Sequence, residues 1–470
     1  MYTKHTYQDW LDTPEAERPE LARQIVQGYK ASAEFAAGLT AAEYFAGDNT
    51  AIRGKRVLKA TTITKKDDRG RTQKVPAAQE IVGNQIRSNF FFRAVVQQCQ
   101  YLLGNGVTLE TPEQKMRLGL SFDKAVEQLG ESALLNGVAW GYWNLDHIEP
   151  ISAVKDALSG FVALLDEMTG FPMVGLQFWQ LSADKPQYLR IFEPDGVGTW
   201  RYVDGKLMPY EEKRAYKLRV TRDSVGVTEM VGENYGVLPV IPFYGNTLRV
   251  SELTPAIKSK IDLYDVILSD FGDNLERAND IYWVLNNFGG TTSEIADMLE
   301  EIHRLKVVCN FSDGTGGGST ATAQTMEVPH EARRVALELL RKELYSDFMA
   351  LDMDELTGGS LTNVAIEAAR TNLDLKADRF EWQAFAFVQA VLRLIGIETE
   401  VIRFKRQALV NRSETVQDIV AMREDIDRET ALQLNPYIDE EQIPQIMQTV
   451  AVEEVARMAS IDTLNRVANS

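Results

Sequence analysis

The chain has 470 residues, with 68 Asp and Glu against 50 Lys and Arg, for a formal charge of −18. Phosphate contacts need cations, so this balance argues against tight, sequence-independent clamping of DNA, though not against a surface that DNA slides past without sticking. The length suffices for two or three domains with a sizeable core, and an apolar content of 44% is ordinary for a folded soluble protein.

The opening residues, MYTKHTYQDWLDTPE, lack the apolar stretch of a signal peptide. Thr13-Pro14-Glu15 reads as a helix start, with a capping hydroxyl, proline at the first helical position and an acid in the first turn. Helical patterning continues, with a break expected near Pro19, to about Tyr44, and Gly47-Asp48-Asn49 is a turn. Between Arg53 and Lys74 stand nine Lys or Arg and two acids. With a turn at Asp67-Asp68-Arg69-Gly70, this basic segment reads as a solvated hairpin or loop, the alternative being contact with nucleic acid or an acidic neighbouring subunit. Gly83 to Leu103 is expected to be one helix, with Ile86, Phe90, Val95, Val96, Cys99, Leu102 and Leu103 on one apolar face, ended by Gly104-Asn105-Gly106. Val107–Leu109 reads as a short strand, and Phe122–Leu135 as a helix stopped by Asn136-Gly137. A β-rich half follows. Its hairpin signals at Asp166-Glu167 to Gly170 and at Asp204-Gly205 imply antiparallel pairing. Leu238–Tyr244 is an extended bridge.

Ser251–Asn286 carries the strongest helical signal. Leu253, Ile257, Ile261, Tyr264, Leu268, Phe271, Leu275, Ala278 and Tyr282 form one apolar stripe. Ser251 is a plausible N-cap, with Pro255 inside the first turn. Such a helix would reach roughly 50 Å. Its polar face carries Asp262, Asp265, Asp270, Asp273 and Glu276, and the helix is either a domain-spanning core element or a wall of an oligomeric channel. Phe288-Gly289-Gly290-Thr291 breaks the pattern. A short helix (Glu294–Leu305, capped by Ser293), a strand from Lys306, a flexible Ser312–Ser319 loop and a returning strand from Ala323 to Val328 make a small α/β insert. His330 to about Leu351 is amphipathic, with Val335, Leu339, Leu344 and Phe348 as its seam. Leu351–Asn363 is a polar loop with three acids, Asp352, Asp354 and Glu355. Val364–Ile395 is apolar on most sides near its end, through Phe380, Trp382, Phe385, Phe387, Val388, Val391 and Leu392, and reads as buried. Glu381, Gln383, Gln389 and Arg393 make it too polar to span a bilayer. From Ser413 onward the chain is helical, punctuated by Asn435-Pro436 and Pro444.

No catalytic motif survives inspection. Neither Gly47–Lys55 nor Gly314–Gly318 has the spacing of a phosphate-binding loop. His5, His147, His303 and His330 show no metal-ligand spacing with each other or with Cys99 and Cys309, and two distant cysteines suit a reducing compartment. Asp352, Asp354 and Glu355 lack the glycine and downstream glutamate of a calcium loop. The expectation is a soluble, intracellular protein without a cofactor.

The order of elements resembles that of the portal proteins of tailed bacteriophages, in particular the SPP1-type family. Tyr44-Phe45-Ala46-Gly47 with Ile52, Asn89-Phe90 through Tyr101-Leu102-Leu103-Gly104-Asn105-Gly106-Val107-Thr108, and Ala133–Ala139 carry the resemblance in the first half. Val240–Asn246 followed by Ser251-Glu252-Leu253, Leu339–Tyr345 and Asn411–Thr415 carry it in the second. Gly358-Gly359-Ser360-Leu361 departs from the Ser-Gly pair that the family often shows after its returning helix. The resemblance implies an α+β, mainly helical portal fold. Residues 1–250 would be the N-terminal arm and a wing containing antiparallel β structure, 251–286 a stem helix, 287–329 a small α/β clip and 330–351 the returning stem helix. Residues 352–363 would be the tunnel loop, 364–410 a long wing helix with a following strand, and 411–470 a helical crown.

It further implies a ring, most often of twelve copies, at one capsid vertex of the virion, assembled in the host bacterial cytoplasm. Double-stranded DNA would enter and leave through its channel. Partners would be other copies of the chain, the terminase large subunit, a major capsid or scaffolding protein and a head-tail adaptor, with no membrane and no enzymatic activity. Asp354, Glu355, Thr357, Gly358, Gly359, Ser360, Leu361, Thr362 and Asn363 would face DNA in the tunnel loop. Asp262, Asp265, Asp270, Asp273 and Glu276 would form the stem's acidic face, and Asp313, Gly314, Gly316, Gly317 and Gly318 an adaptable clip loop. From Glu252 to Tyr282 seven acids face three bases, which suits a channel that repels a polyanion. Two other classes compete: a multi-domain hydrolase using Asp or Glu pairs in the β-rich half, and another ring-forming phage component such as an adaptor.

Overall fold

The computed structural model describes residues 3–66, 72–203, 205–223, 226–278, 281–286, 320–325, 330–356, 363–407, 412–422, 426–435, 437–438 and 442–453. Three helices open the chain: α1 (Tyr7–Asp12), α2 (Arg18–Lys30) and α3 (Ala33–Phe45). The helix expected from Pro14 starts instead at Arg18. Thr13 closes α1, and Pro19 lies in the first turn of α2, where its missing N–H costs nothing. Ser32 caps α3 by accepting the Phe35 N–H at 3.2 Å. The basic segment is a hairpin, β1 (Arg56–Lys66) with β2 (Thr72–Val82); the turn at Asp67–Gly70 lies outside the described residues.

The expected helix from Gly83 is corrected. Residues 83–89 have no helical turn, and α4 spans Phe90–Leu103. After β3 (Val107–Leu109) and α5 (Pro112–Met116) comes α6 (Phe122–Asn136), closed by Gly137 at φ 83°. A Cβ on Gly137 would collide with the Arg249 carbonyl oxygen, so both conformation and close approach require glycine there.

The β-rich half is antiparallel throughout, as the hairpin signals imply. β4 (Val138–Asn144) and β5 (His147–Ser152) join β14 (Val240–Tyr244) in the order β14-β4-β5. A six-stranded meander runs from β6 (Val154–Asp156) through β7 (Ser159–Leu165), β8 (Pro172–Gln180), β9 (Gln187–Glu193) and β10 (Gly196–Val203) to β11 (Lys206–Arg214). Its two faces are both covered. Val162, Leu164, Val174, Leu176, Phe178, Leu189 and Ile191 pack against Trp10, Ile25, Val26, Tyr29 and Phe35 of the opening helices. The alternate residues Phe161, Ala163 and Phe192 pack against Trp140, Tyr142 and Val240 of the smaller sheet. Trp10 Nε1 donates to Glu193 at 2.8 Å, and Arg18 and Lys213 pair with the same carboxylate at 3.2 and 2.9 Å, pinning the opening helices to the sheet. β12 (Lys217–Asp223) and β13 (Gly226–Glu233) form a separate hairpin.

The long helix, α7, spans Pro255–Ala278. Thr254, not Ser251, caps it by accepting the Ile257 N–H at 3.3 Å. The expected continuation to Asn286 is corrected too: Ile281–Asn286 is a strand, β15, paired antiparallel with β16 (Thr320–Thr325). The Glu294–Leu305 helix, the strand from Lys306 and the Gly-rich loop with Asp313, Gly314, Gly316, Gly317 and Gly318 lie outside the described residues. α8 (His330–Asp347) follows, then α9 (Asn363–Leu394) and β17 (Ile402–Phe404), which pairs with β3. α10 (Arg412–Ala421), α11 (Arg428–Gln433) and α12 (443–453) complete the described chain. Among the described residues no helix is long and apolar enough to cross a membrane.

Two compact units emerge, residues 1–349 with 377–405, and residues 350–376 with 406–470, so α9 starts in the second and ends in the first. In the first unit Phe243 stacks on Phe380 and Phe387 at 5.7 and 5.0 Å, and Phe387 closes over Gly141 of β4. Trp382 is corrected: it was expected among the buried residues, yet is 72% exposed. In the second unit Leu373, Ile419 and Ile443 are buried, Asp374 pairs with Arg370 and Arg406, and the Asn363 amide donates to Thr415 at 3.2 Å.

Candidate functional site

α7 and α8 run antiparallel. Lys260 pairs with Glu343 and Asp347 at 3.1 and 2.8 Å near one end, and Arg333 donates to the Asp270 carbonyl at 3.4 Å near the other. The two carboxylates hold the Lys260 ammonium above its usual range. Aromatic residues at the start of α4 wedge into the base of the pair. Phe90 meets Tyr264 and Tyr345 edge-on at 5.0 and 6.0 Å, and Phe91 stacks on Phe348 at 6.3 Å.

The expected acidic face of α7 is corrected for two of its residues. Asp265 and Asp273 are buried, 0% and 6% exposed, because residues 83–88 lie against that face as an extended strap. The Asn84 N–H donates to Asp273 Oδ1 at 2.7 Å, the Ile86 N–H to Ser269 Oγ at 3.0 Å and the Ser88 N–H to Asp265 Oδ1 at 2.8 Å. Two extended residues advance about 6.6 Å and four helical residues about 6.0 Å, so every second strap N–H meets one acceptor per helical step, running antiparallel. The strap stays extended because its backbone donors are satisfied by a distant helix's side chains, not by its own carbonyls.

The turn before the hairpin engages the same face. Asn49 donates its amide to Asp265 and to the Ser88 carbonyl, and Tyr44 donates its hydroxyl to Asp262, which also pairs with Lys258 at 2.7 Å. Lys55 pairs with both Asp270 and Asp273 at 2.7 Å. Burial pushes the Asp265 carboxyl up, outweighing its hydrogen bonds from Asn49 and Ser88. Burial pushes Asp273 up as well, but the Asn84 N–H and the Lys55 ammonium win and hold it below the usual range. Glu276 lies in the last turn of α7.

Four apolar side chains of the helix pair stay open. Leu263 and Leu275 of α7 and Val335 and Leu339 of α8 are each about half exposed, between 49% and 57%. The expected α8 seam is therefore corrected: Leu344 and Phe348 are buried, whereas Val335 and Leu339 are not. In the second unit, Asp354 and Glu355 lie in a single 3-10 turn (Met353–Leu356), and Asn363 starts α9. Thr357, Gly358, Gly359, Ser360, Leu361 and Thr362 lie outside the described residues.

The strap and its acceptors were missed from sequence. The Ser269 position, one helical step from both Asp265 and Asp273, was the available signal: a four-residue polar stripe is as regular as the apolar one.

Residues 38–462 match a model of bacteriophage portal proteins, the family described as "Phage portal protein, SPP1 Gp6-like". The chain belongs to that family. It is similar to the portal protein of Bacillus phage SPP1, 32% identical over 231 residues, or 45% of this chain and 44% of that protein. It is also similar to the portal protein of Clostridium phage phiCD119, 29% identical over 171 residues, or 36% of this chain and 37% of that protein. The matches thus span less than half the length of these relatives.

Proposed function

We propose that the chain is the subunit of a closed ring, of about twelve copies by the family resemblance, that forms the DNA channel at one capsid vertex of the virion. One observation carries this reading. The stem pair spends one face on its own arm through the Asp265–Ser269–Asp273 stripe and leaves Leu263, Leu275, Val335 and Leu339 half open. Apolar side chains on two packed helices, left open by a single chain, suit burial against the next copy in a head-to-tail interface that closes.

In this reading the net acidity of the stem, seven acids against three bases from Glu252 to Tyr282, keeps it negative towards a passing polyanion, and the Asp354–Asn363 loop reaches the DNA. The Asp313–Gly318 loop adapts to the terminase large subunit or a head-tail adaptor, and capsid or scaffolding protein surrounds the wing. The ring itself does no chemistry and assembles in the host cytoplasm. Electron microscopy of the purified chain tests the proposal. Rings with a central hole are expected; particles that stay single at every concentration and ionic strength tried would overturn it.

A further inference from the structure

Among the described residues the β1–β2 hairpin belongs to no larger sheet, its strands pairing with each other alone. A two-stranded sheet is marginal in water, and its open edges offer rows of unpaired backbone groups. The two edges differ. Pro76 of β2 lies opposite Thr62 of β1. A proline is tolerated in a ladder where its nitrogen faces away from the partner strand, so Pro76 interrupts the outer edge of β2. The same geometry turns the Thr62 N–H outward on the far side of β1. β1, RVLKATTITKK, has neither proline nor glycine, leaving an uninterrupted edge of 11 residues.

Charge narrows the occupant. β1 carries Arg56, Lys59, Lys65 and Lys66 and no acid, whereas the whole chain stands at −18. A phosphate backbone would use the lysines but leave the backbone edge unpaired, while an acidic strand uses both. We infer that the outer edge of β1 pairs with a strand edge of a second copy of this chain, adding a basic hairpin to an acidic neighbour. The hairpin's two feet, Lys55 and Asn84, both end on Asp273 of α7. The contact therefore ties the neighbouring copy to this copy's long helix.

The inference rests on the ring reading, and its test separates the two. Full-length chain carrying p-benzoylphenylalanine in place of Thr64, in a mixture of isotopically light and heavy copies, is illuminated with and without double-stranded DNA. Rings are scored independently by microscopy. A light–heavy crosslinked dimer is expected. It should be lost in Thr62→Pro, which removes an outward N–H without touching the β1–β2 ladder, and strongly reduced in the Lys59→Glu/Lys65→Glu/Lys66→Glu variant. Rings without the crosslink, rings whose crosslink persists in both variants, or crosslinking to DNA instead would overturn this inference alone. Absence of any assembly would overturn the ring reading and this inference with it.

Discussion

The backbone N–H of Asn84 donates to the side chain of Asp273, 189 residues away, at 2.7 Å. Asp273 also takes the Lys55 ammonium at 2.7 Å, so one carboxylate holds both ends of the hairpin. Asp273→Ala should lower the free energy of opening residues 84–88 by about 2 kcal/mol, roughly a thirtyfold fall in amide protection. Hydrogen exchange of those amides reads it directly. Unchanged protection would show that the strap is held by packing alone.

The two buried carboxylates respond to acid with opposite signs. Asp273 sits below its ordinary value of 3.8, so its contribution is complete above that value and is lost as pH falls through the folded one. Asp265 sits above 3.8, so its ionised form is disfavoured in the folded chain and that cost is relieved as pH falls. Between about pH 5 and 3, corrected for intrinsic exchange, protection at Asn84 should fall relative to protection at Ser88. Parallel loss at both amides would contradict the assignment.

Asp265 also tests how specific its bonding is. Asp265→Ala leaves the Ser88 N–H without its acceptor and the Asn49 amide with only the Ser88 carbonyl, at a cost of about 2–4 kcal/mol. Asn49 Oδ1 is buried without a partner among the described residues. Asp265→Asn still accepts from Ser88, and a turned Asn49 amide would accept from it at the loss of the Asn49 bond to the Ser88 carbonyl, so its cost should stay at one hydrogen bond, about 1–1.5 kcal/mol. Urea unfolding should separate the two variants, and equal losses would sink the argument.

Along α9, position decides the outcome. Phe387, 1% exposed, should cost about 3–5 kcal/mol as Ala. Gly141→Ala would place a methyl 2.7 Å from the Phe387 ring, and should cost about 1–3 kcal/mol. Trp382→Ala, at a 72% exposed site, should stay within about 0.5 kcal/mol in a single chain. If Trp382→Ala unfolds the chain as readily as Phe387→Ala, the described packing of this helix is wrong.

Deleting Thr357–Thr362 tests the proposed tunnel loop. Rings should still form, with packaging or retention of DNA impaired. Failed ring assembly would make the segment a structural one.

The elements legible in the sequence are those whose cause is local. Gly137 ends α6 through its own left-handed backbone, and Asp166 to Gly170 turns a hairpin for an equally local reason. The strap has no such local cause: Ile86 and Phe90 fit an apolar helical spacing, while the acceptors that keep it extended belong to a helix about 180 residues later. The end of α7 carries its own local signal. Tyr282-Trp283-Val284-Leu285 is an aromatic and aliphatic run after Asn279-Asp280, a strand signal that the apolar stripe obscured. The acids of α7 were assigned to an open face because composition records charge but not which neighbour covers it.

The matched steps of strap and helix also forbid slippage. One step towards the C-terminus of α7 would set a strap N–H against Arg277, a donor, and one step the other way would set it against Ile261, which offers no polar atom. A half step would turn the strap's N–H groups away from all three acceptors. The joint is keyed to a single axial position, so a pull on α7 passes undiminished into the hairpin until the joint breaks as a whole.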